Sequence, residues 1–437
     1  MTKEKNNKPS KELPLGFVDR QEKELLVRDF IISNIKEVMI KYGFQYLETP
    51  SFEYSDSIGK FLPDKDRPDE GVFSFKDENK WLSLRYDLTA PLARYVAKNY
   101  LEIPKPFKRY QLGTVWRNEK PGPGRFREFL QFDADYIGTK NLQADAELCI
   151  LISEILENCG LNKNEYIIKI SSRKITDEIF KKIKIESNEQ RLTVLRALDK
   201  IDRLGWEGVK QLLGEGRKDK SGDFTKGANL NQNNIDLIEK ELKNKSPETE
   251  DLKKILKIFK DYNFINFEVD PSVIRGLEYY TGPILEGNLK FDVKNDKGQV
   301  VQFGSIGGGG RYDNLVNNFG NYDAPATGIS IGLDRLVYAL MQKKDFKIKQ
   351  IRPIVICIFD KSSMKEYIDL QTLLRTAGIS AEIYPGEGKL KKQMEYANKI
   401  KSPAVILYGE NEIKIGKPTL RNLASGDEKS ITIKELV

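Results

Sequence analysis

Residues 274–282 read IRGLEYYTG and place one arginine, two glycines, one carboxylate and two adjacent tyrosines within nine positions. A guanidinium fork matches phosphate and carboxylate oxygens. A phenol donates or accepts a hydrogen bond and presents an aromatic face. Two further arginines stand where phosphate chemistry can use them: Arg117 ends the run FKRYQLGTVWRN, and Arg335 lies in GLDRL near a helix start. Taken singly, each is more often a surface ion-pair residue.

Three strand-like segments carry a polar face with a period of two. Ser83, Arg85, Asp87 and Thr89 share one face; Gln131, Asp133 and Asp135 share another, with Leu130, Phe132 and Ala134 opposite. Arg117 aligns with Gly113 and Val115, small residues expected to leave space above a sheet. Side chains alternate across a strand, so each pattern builds a polar floor backed by an apolar face. One such strand is equally a half-solvated antiparallel strand; three, with both charge signs, favour a ligand floor. Four consecutive glycines, Gly307 to Gly310 in GSIGGGGRYDNL, lose much entropy on folding. They read either as a tight loop or as backbone closely approached by a flat ligand, and the second reading is preferred. The tyrosine pair, with Asp135 and Gln131, would encircle a small planar polar side chain.

Absences narrow the chemistry further. The chain contains no histidine, so Ser-His-Asp triads, Cys-His pairs and His-ligated zinc are excluded. Acid–base work falls to carboxylates, lysines or tyrosines, and no protein-held metal is expected. No phosphate-binding glycine fingerprint follows a strand; GEGRKDKS at 214–221 lacks the second glycine of a P-loop.

These residues need elements to hold them. Leu25, Phe30, Ile35, Val38 and Met39 form a stripe that predicts an amphipathic helix over 22–42. YGFQYLETPSFEY continues as an extended segment interrupted at Pro50. KWLSLRYDLT predicts a strand, followed by a helix starting at Ala90-Pro91, where proline suits a first turn. FKRYQLGTVWRN and EFLQFDADYIG predict a β-hairpin across residues 107–138, joined by the mobile loop EKPGPGRFR. Residues 173–262 are rich in Lys, Glu, Asp and Asn at helical spacing and read as an inserted helical module. From about 350 the texture changes again. PIVICIFD, ISAEIYP and AVILYG alternate with helical stripes at Met364, Tyr367, Leu370, Leu374 and at Leu390, Met394, Ala397, Ile400. Two shorter strands close the chain. That alternation predicts a small α/β domain with a mostly parallel sheet.

The 437-residue length suggests about three domains at roughly 150 residues each. Hydrophobic residues at 39%, charged residues at 31% and a net charge of +7 describe a soluble globular chain that permits a polyanionic partner without demanding one. MTKEKNNKPSKE lacks the apolar stretch of a signal peptide and reads as a disordered tail, with residues 1–14 outside the first domain. No apolar run approaches the ~18 residues of a membrane span. Cys149, Cys159 and Cys357 are few, odd in number and far apart, as in a reducing cytosol.

Taken in order, these motifs resemble those of the histidyl-tRNA synthetase family, class II aminoacyl-tRNA synthetases, over nearly the whole chain after the tail. The helix and extended segment ending at Pro50 resemble class II motif 1. FKRYQLGTVWRNEKPGPGRFREFLQFDADYIG resembles motif 2, and TGISIGLDRL motif 3. RGLEYYTG and GGGGRYDNL are similar to the family's two histidine-specific signatures. Residues 350–437, with QMEYANK and ILYGENE, resemble its anticodon-binding domain.

The resemblance implies an α+β catalytic domain over 15–345 with a mainly antiparallel sheet, followed by an anticodon-binding α/β domain at 350–437. It implies ATP and Mg²⁺, L-histidine and tRNA(His) as substrates, a homodimer and a cytoplasmic location. By the same resemblance, Arg117 and Arg275 contact the α-phosphate and carboxylate, with Arg275 as electrophilic catalyst. Arg335 holds the γ-phosphate of a bent ATP, while Glu119 and Arg125 reach adenine and phosphates. The histidine site comprises Asp87, Leu88, Thr89, Arg117, Gln131, Asp135, Arg275, Tyr279 and Tyr280. Within it Asp87, Thr89 and Gln131 take the α-amino group, and Asp135 and Tyr280 bracket the imidazole with Tyr279 alongside. The carboxylate is already a nucleophile at neutral pH, so adenylation needs fixed cations more than a base.

Two departures stand out. Glu278 replaces the aspartate usual in the signature, adding one methylene at equal charge. Leu130 occupies a position where some members carry histidine, on the apolar face. The other reading is a catalytically inactive paralogue that senses histidine to regulate its biosynthesis. Such paralogues typically lack the arginine of RGLEYY and the C-terminal domain, and this chain has both.

Overall fold

The computed structural model describes residues 10–59, 71–122, 124–218, 222–244, 249–276, 280–295, 297–301 and 303–436. The chain divides into two units, residues 1–347 and 348–437. Most of the expected tail lies outside the described residues; residues 10–14 are exposed and carry no helix or strand.

The first unit is organised by an eight-stranded sheet. Its strands are β1 (Gln45–Tyr46), β2 (Phe107–Trp116), β3 (Glu128–Ile137), β4 (Tyr166–Ser172), β5 (Phe267–Val269), β6 (Pro283–Leu289), β7 (Ser305–Arg311) and β8 (Ala326–Gly332). In space they run β1-β2-β3-β8-β7-β6-β4-β5. The two edge pairs are parallel and the inner pairs antiparallel. The predicted hairpin is β2–β3, in register from Phe107↔Ile137 to Trp116↔Glu128.

Register turns local alternation into continuous rows. One row runs Arg109, Asp135, Gly328, Gly310, Ile284; the next runs Gln111, Asp133, Ser330, Gly308, Glu286. Both lie on the same face. The opposite face carries Phe132, Ala134, Ile329, Ile331, Ile168, Ile170 and Leu285, all buried. Each such side chain contributes roughly 1.5–3 kcal/mol by leaving water. The helix Gln143–Asn158 packs against β6 and β8 and against the helix Glu22–Lys41, which in turn packs on Leu333–Leu340. The glycine run forms strand β7 and not a tight loop.

Residues 173–262 form the predicted helical insertion: Arg173–Lys182, Asn188–Leu198, Ile201–Leu213, Gln232–Lys243 and Glu250–Asp261, with a hairpin of Gly216–Lys218 and Phe224–Lys226. It belongs to the first unit. A separate three-stranded sheet pairs Phe52–Tyr54, Lys80–Leu84 and Ser74–Asp77. Its outer face leaves Phe52, Tyr54 and Phe75 close to half exposed.

The second unit is a five-stranded sheet between helices. Ile356 and Ile406 face the helix Met364–Thr376, while Val355, Cys357 and Val405 face Leu390–Lys399 through Ala397. Burial on both faces explains the uninterrupted apolar runs. Ala381–Ile383, Ile354–Cys357 and Ala404–Leu407 are parallel, as the alternation predicts. Thr419–Asn422 and Glu428–Ser430 are antiparallel, so the whole sheet is mixed; their short connections leave no room for a crossover. Gln393 of QMEYANK is buried and clamps the end of a strand, donating to the Ile358 carbonyl at 2.7 Å and accepting from its N–H at 2.8 Å.

Candidate active site

The polar face of the sheet opens into a cavity of about 550 Å³. Nine of the predicted site residues line it: Asp87, Thr89, Arg117, Glu119, Arg125, Gln131, Arg275, Tyr280 and Arg335. Four arginines from three separate stretches of sequence therefore meet in one space.

The strand expected to carry Ser83, Arg85, Asp87 and Thr89 ends at Leu84, so these residues do not share a strand face. Asp87 instead starts the helix Thr89–Lys98: its Oδ1 accepts from the backbone N–H of Thr89 at 3.1 Å and of Ala90 at 2.9 Å. That satisfies two donors of a first turn that would otherwise lack partners. Oδ2 keeps no partner among the described residues. Burial raises the Asp87 carboxyl above its ordinary range, against those two N–H groups and Arg117. Arg85 is buried and donates to the carbonyls of Thr114 at 2.8 Å and Thr49 at 2.7 Å. Its guanidinium fills the space above Gly113, where a Cβ would stand 2.5 Å from Nη2. Ser83 is held by Ser55 and Ser74 in the small sheet, away from the cavity.

Gln131 joins the two electrostatic halves of the site. Its Nε2 donates to Asp133 at 2.8 Å and to Ser330 at 3.0 Å, and its Oε1 accepts from Arg117 Nη2 at 3.4 Å. Arg117 lies 4.5 Å from the Tyr86 ring and 5.1 Å from the Phe129 ring, and donates to the Tyr86 carbonyl at 3.2 Å. Asp133 lies one layer below the wall, accepting also from Ser330 at 2.5 Å and from Thr89 at 3.4 Å. Burial, with Asp135 next, pushes its carboxyl up to about 7.

Asp135 is 2% exposed and does not line the cavity. Arg109 pairs with it at 3.0 Å and Tyr312 donates to it. Burial raises its carboxyl, with Arg109 opposing. Asp135 leans over Gly328, where a Cβ would stand 1.9 Å from Oδ1, and Tyr280 leans over Gly310, where a Cβ would stand 3.1 Å from the ring. Gly328 and Gly310 are direct register partners. The two side chains thus face a strip of floor that has no side chain of its own. Leu88 is fully buried behind the wall; its carbonyl accepts from Arg109 at 3.1 Å. Tyr279 and Glu278 lie outside the described residues.

The motif 2 loop contributes Arg125, paired with Glu119 at 2.7 Å, while Tyr86 donates to Glu119 at 2.8 Å. Arg335, on the helix Leu333–Leu340, lies 4.7 Å from the Phe303 ring. Its Nε is buried without a partner. Burial, then Arg125 and Arg275, pulls its guanidinium down to about 10. Such a cation, surrounded by others and lacking a carboxylate among the described residues, fits a site shaped for an anion. Sequence reasoning missed Tyr86, Asp199, Glu286, Ser305 and Ser330. Only Ser330, alternating with Gly328 and Gly332, and Glu286, alone in an apolar run, left a detectable signal.

A family model for histidyl-tRNA synthetase matches residues 16–336, and one for the anticodon binding domain matches residues 353–437. A histidine–tRNA ligase from Bartonella quintana is 46% identical over 99% of this chain and 92% of its own length. One from Rhizobium meliloti is 45% identical with the same coverage. A crystal structure of histidyl-tRNA synthetase from Nostoc sp. PCC 7120 superposes with a TM-score of 0.74 at 26% identity, covering 98% of this chain and 100% of that one. With relatives this similar along its whole length, and not over the catalytic motifs alone, the chain belongs to the histidyl-tRNA synthetase family.

Proposed function

We propose that this protein is a histidine–tRNA ligase. It activates L-histidine with ATP, releasing diphosphate, and passes the histidyl group from the adenylate to the 3′ end of tRNA(His). One observation carries the reading: four arginines, among them Arg335 with no carboxylate partner among the described residues, converge in one cavity with the carboxylates of Asp87, Glu119 and Asp199 and the amide of Gln131. Few ligands except an amino acid together with a nucleoside triphosphate need both signs at that spacing. Full-length relatives named as ligases make the histidine-sensing paralogue the weaker alternative.

Asp87, through its open Oδ2, with Thr89 and Gln131 receives the α-ammonium. Arg117 lies beside Gln131 and meets the carboxylate and α-phosphate as they join. Arg275 faces the same oxygens and stabilises the charge that develops on them. Arg335 takes the γ-phosphate, and Glu119 with Arg125 the adenine and phosphates. The imidazole lies over Gly328 and Gly310 between Asp135 and Tyr280. Magnesium arrives on ATP; an ion carried by phosphates needs only one or two carboxylates, and Glu119 and Asp199 are wall residues able to meet it.

The second unit reads the anticodon. The chain works as a homodimer, for which the half-exposed Phe52, Tyr54 and Phe75 offer an apolar surface. A cytoplasmic location accords with three buried free thiols, and no described helix is long and apolar enough to cross a membrane. Histidine-dependent ATP–pyrophosphate exchange tests the activity: exchange with histidine alone among the amino acids is expected, and no exchange with any amino acid refutes it. Light scattering of the purified protein tests the dimer.

A further inference from the structure

Arg275 lies in a segment with no helix or strand, residues 270–276, so its backbone does little to aim its side chain. The aim comes from β6. Glu286 accepts from Arg275 Nε through Oε2 and from Nη2 through Oε1, both at 2.9 Å. Ser305 on β7 accepts from the same Nη2. Three of the five N–H groups of the guanidinium are thus bound by protein, and among the described residues neither hydrogen of Nη1 has a partner. Nη1 lies above Gly308, where a Cβ would stand 3.3 Å from it. Gly308 is the register partner of Glu286 on one side and of Ser330 on the other.

Glu286 is 5% exposed, whereas the Arg275 side chain is 38% exposed and lines the cavity. The carboxylate is therefore fixed in the sheet and the guanidinium turns one edge outward. Lys169, opposite Glu286 in the register, is turned instead to Asp270 at 2.8 Å. Among the described residues Glu286 pairs with no other cation. The pairing has an electrostatic cost, since it offsets part of the charge Arg275 brings to a phosphate. A bidentate fork returns directional precision that a single contact lacks.

We propose that Glu286 is a positioning residue for Arg275, with Ser305 as its second support, and that Nη1 is the nitrogen presented to the reacting centre. This rests on the reading of Arg275 as the electrophile of adenylation. Glutamine at position 286 keeps the volume but turns an N–H donor toward a guanidinium that only donates, so one half of the fork is lost. A small misplacement of a catalytic group costs up to about 10²-fold.

The test is a double-mutant cycle in the full-length protein. Single-turnover adenylation rate, KM for histidine and ATP, and Tm are measured for Glu286→Gln, Arg275→Ala and the double variant. Glu286→Gln is expected to slow adenylation roughly 10- to 100-fold with KM values within a few-fold of wild type. Glu286→Asp should recover part of the rate. In the Arg275→Ala background, Glu286→Gln should cost no further rate and should raise Tm, because it removes a buried carboxylate that has lost its cation. A full rate for Glu286→Gln beside a slow Arg275→Ala enzyme overturns the positioning role alone. Rate losses that multiply, or a Tm that falls further in the double variant, overturn it as well. If Arg275→Ala is too slow to measure, the Tm arm of the cycle decides. A wild-type rate in Arg275→Ala overturns both this inference and the catalytic reading of Arg275.

Discussion

Beneath the cavity the buried carboxylates are held by protein groups: Asp133 accepts from Gln131, Ser330 and Thr89, and Asp135 takes Tyr312 and Arg109. Around the rim the arginines are held only in part, Arg275 by Glu286 and Arg125 by Glu119. Among the described residues Arg335 lacks an anion, and Nη1 of Arg275 has no hydrogen-bond partner. The floor stands on strands whose register fixes it, while the rim is carried by a loop, an irregular segment and a helix start. Groups that recognise the unchanging part of a substrate gain from being locked. Cations that meet charge only as it develops must keep at least one donor edge open until the reaction.

This contrast can be broken in order of effect. Arg275→Ala should lower the single-turnover adenylation rate by roughly 10²–10³-fold while histidine and ATP binding stay within about an order of magnitude. A near-wild-type rate would make the rim merely structural. Asp135→Ala attacks the floor, and it orphans Arg109, which is fully buried. Stability should fall by about 3–5 kcal/mol in urea titrations, and KM for histidine should rise. A folded variant with unchanged KM would place the imidazole elsewhere. Arg335→Ala should raise KM for ATP about tenfold and leave stability unchanged or improved, since the guanidinium is held against its neighbours. A clear loss of stability would mean that the rim arginine is already satisfied.

The smallest effect is a pH dependence of the floor. The Asp133 carboxyl sits at about 7 in the fold, well above an ordinary aspartate. The folded state then binds its proton more tightly than the unfolded state. This contribution to stability is present at low pH and is lost as pH rises from about 4 to about 7. Asp133→Asn should remove that slope, measured as the difference in urea midpoints between pH 5 and pH 8. Histidine binding should show the opposite trend, because the α-ammonium favours the ionised acid. kcat/KM for histidine, taken at saturating Mg-ATP, should fall as pH drops below about 7. Protonation of the substrate imidazole, ordinarily near 6.5, adds to the fall. A bound imidazole that NMR shows doubly protonated at pH 7.5 would remove that second part.

Much of this was legible in the residues. Period-two polarity located Gln131, Asp133 and Asp135 on one face, and the hairpin of β2 and β3 follows the predicted runs. Where the reading failed, a local pattern was extended too far. Arg85, Asp87 and Thr89 kept the alternation of the strand before them, but the chain had already turned into a helix cap. For the glycine run the loop alternative failed, although four glycines weaken a strand: neighbouring strands and the side chains leaning over Gly308 and Gly310 hold it as one, and Gly307 and Gly308 line the cavity.

By itself the sequence determined which chemistry was available: no imidazole, three conspicuous arginines, a polar face on alternating residues and an α/β unit after residue 350. These follow from residue type and from spacing within one element, both local properties. The tertiary structure decided which residues meet. Glu286, Ser305 and Ser330 reach the site because β6, β7 and β8 align Glu286 with Gly308 and Gly308 with Ser330. Asp135 lies below the cavity wall because Arg109 and Tyr312, distant in sequence, hold it there. Register between strands is set by packing of the whole apolar face, and no window along the chain contains that information.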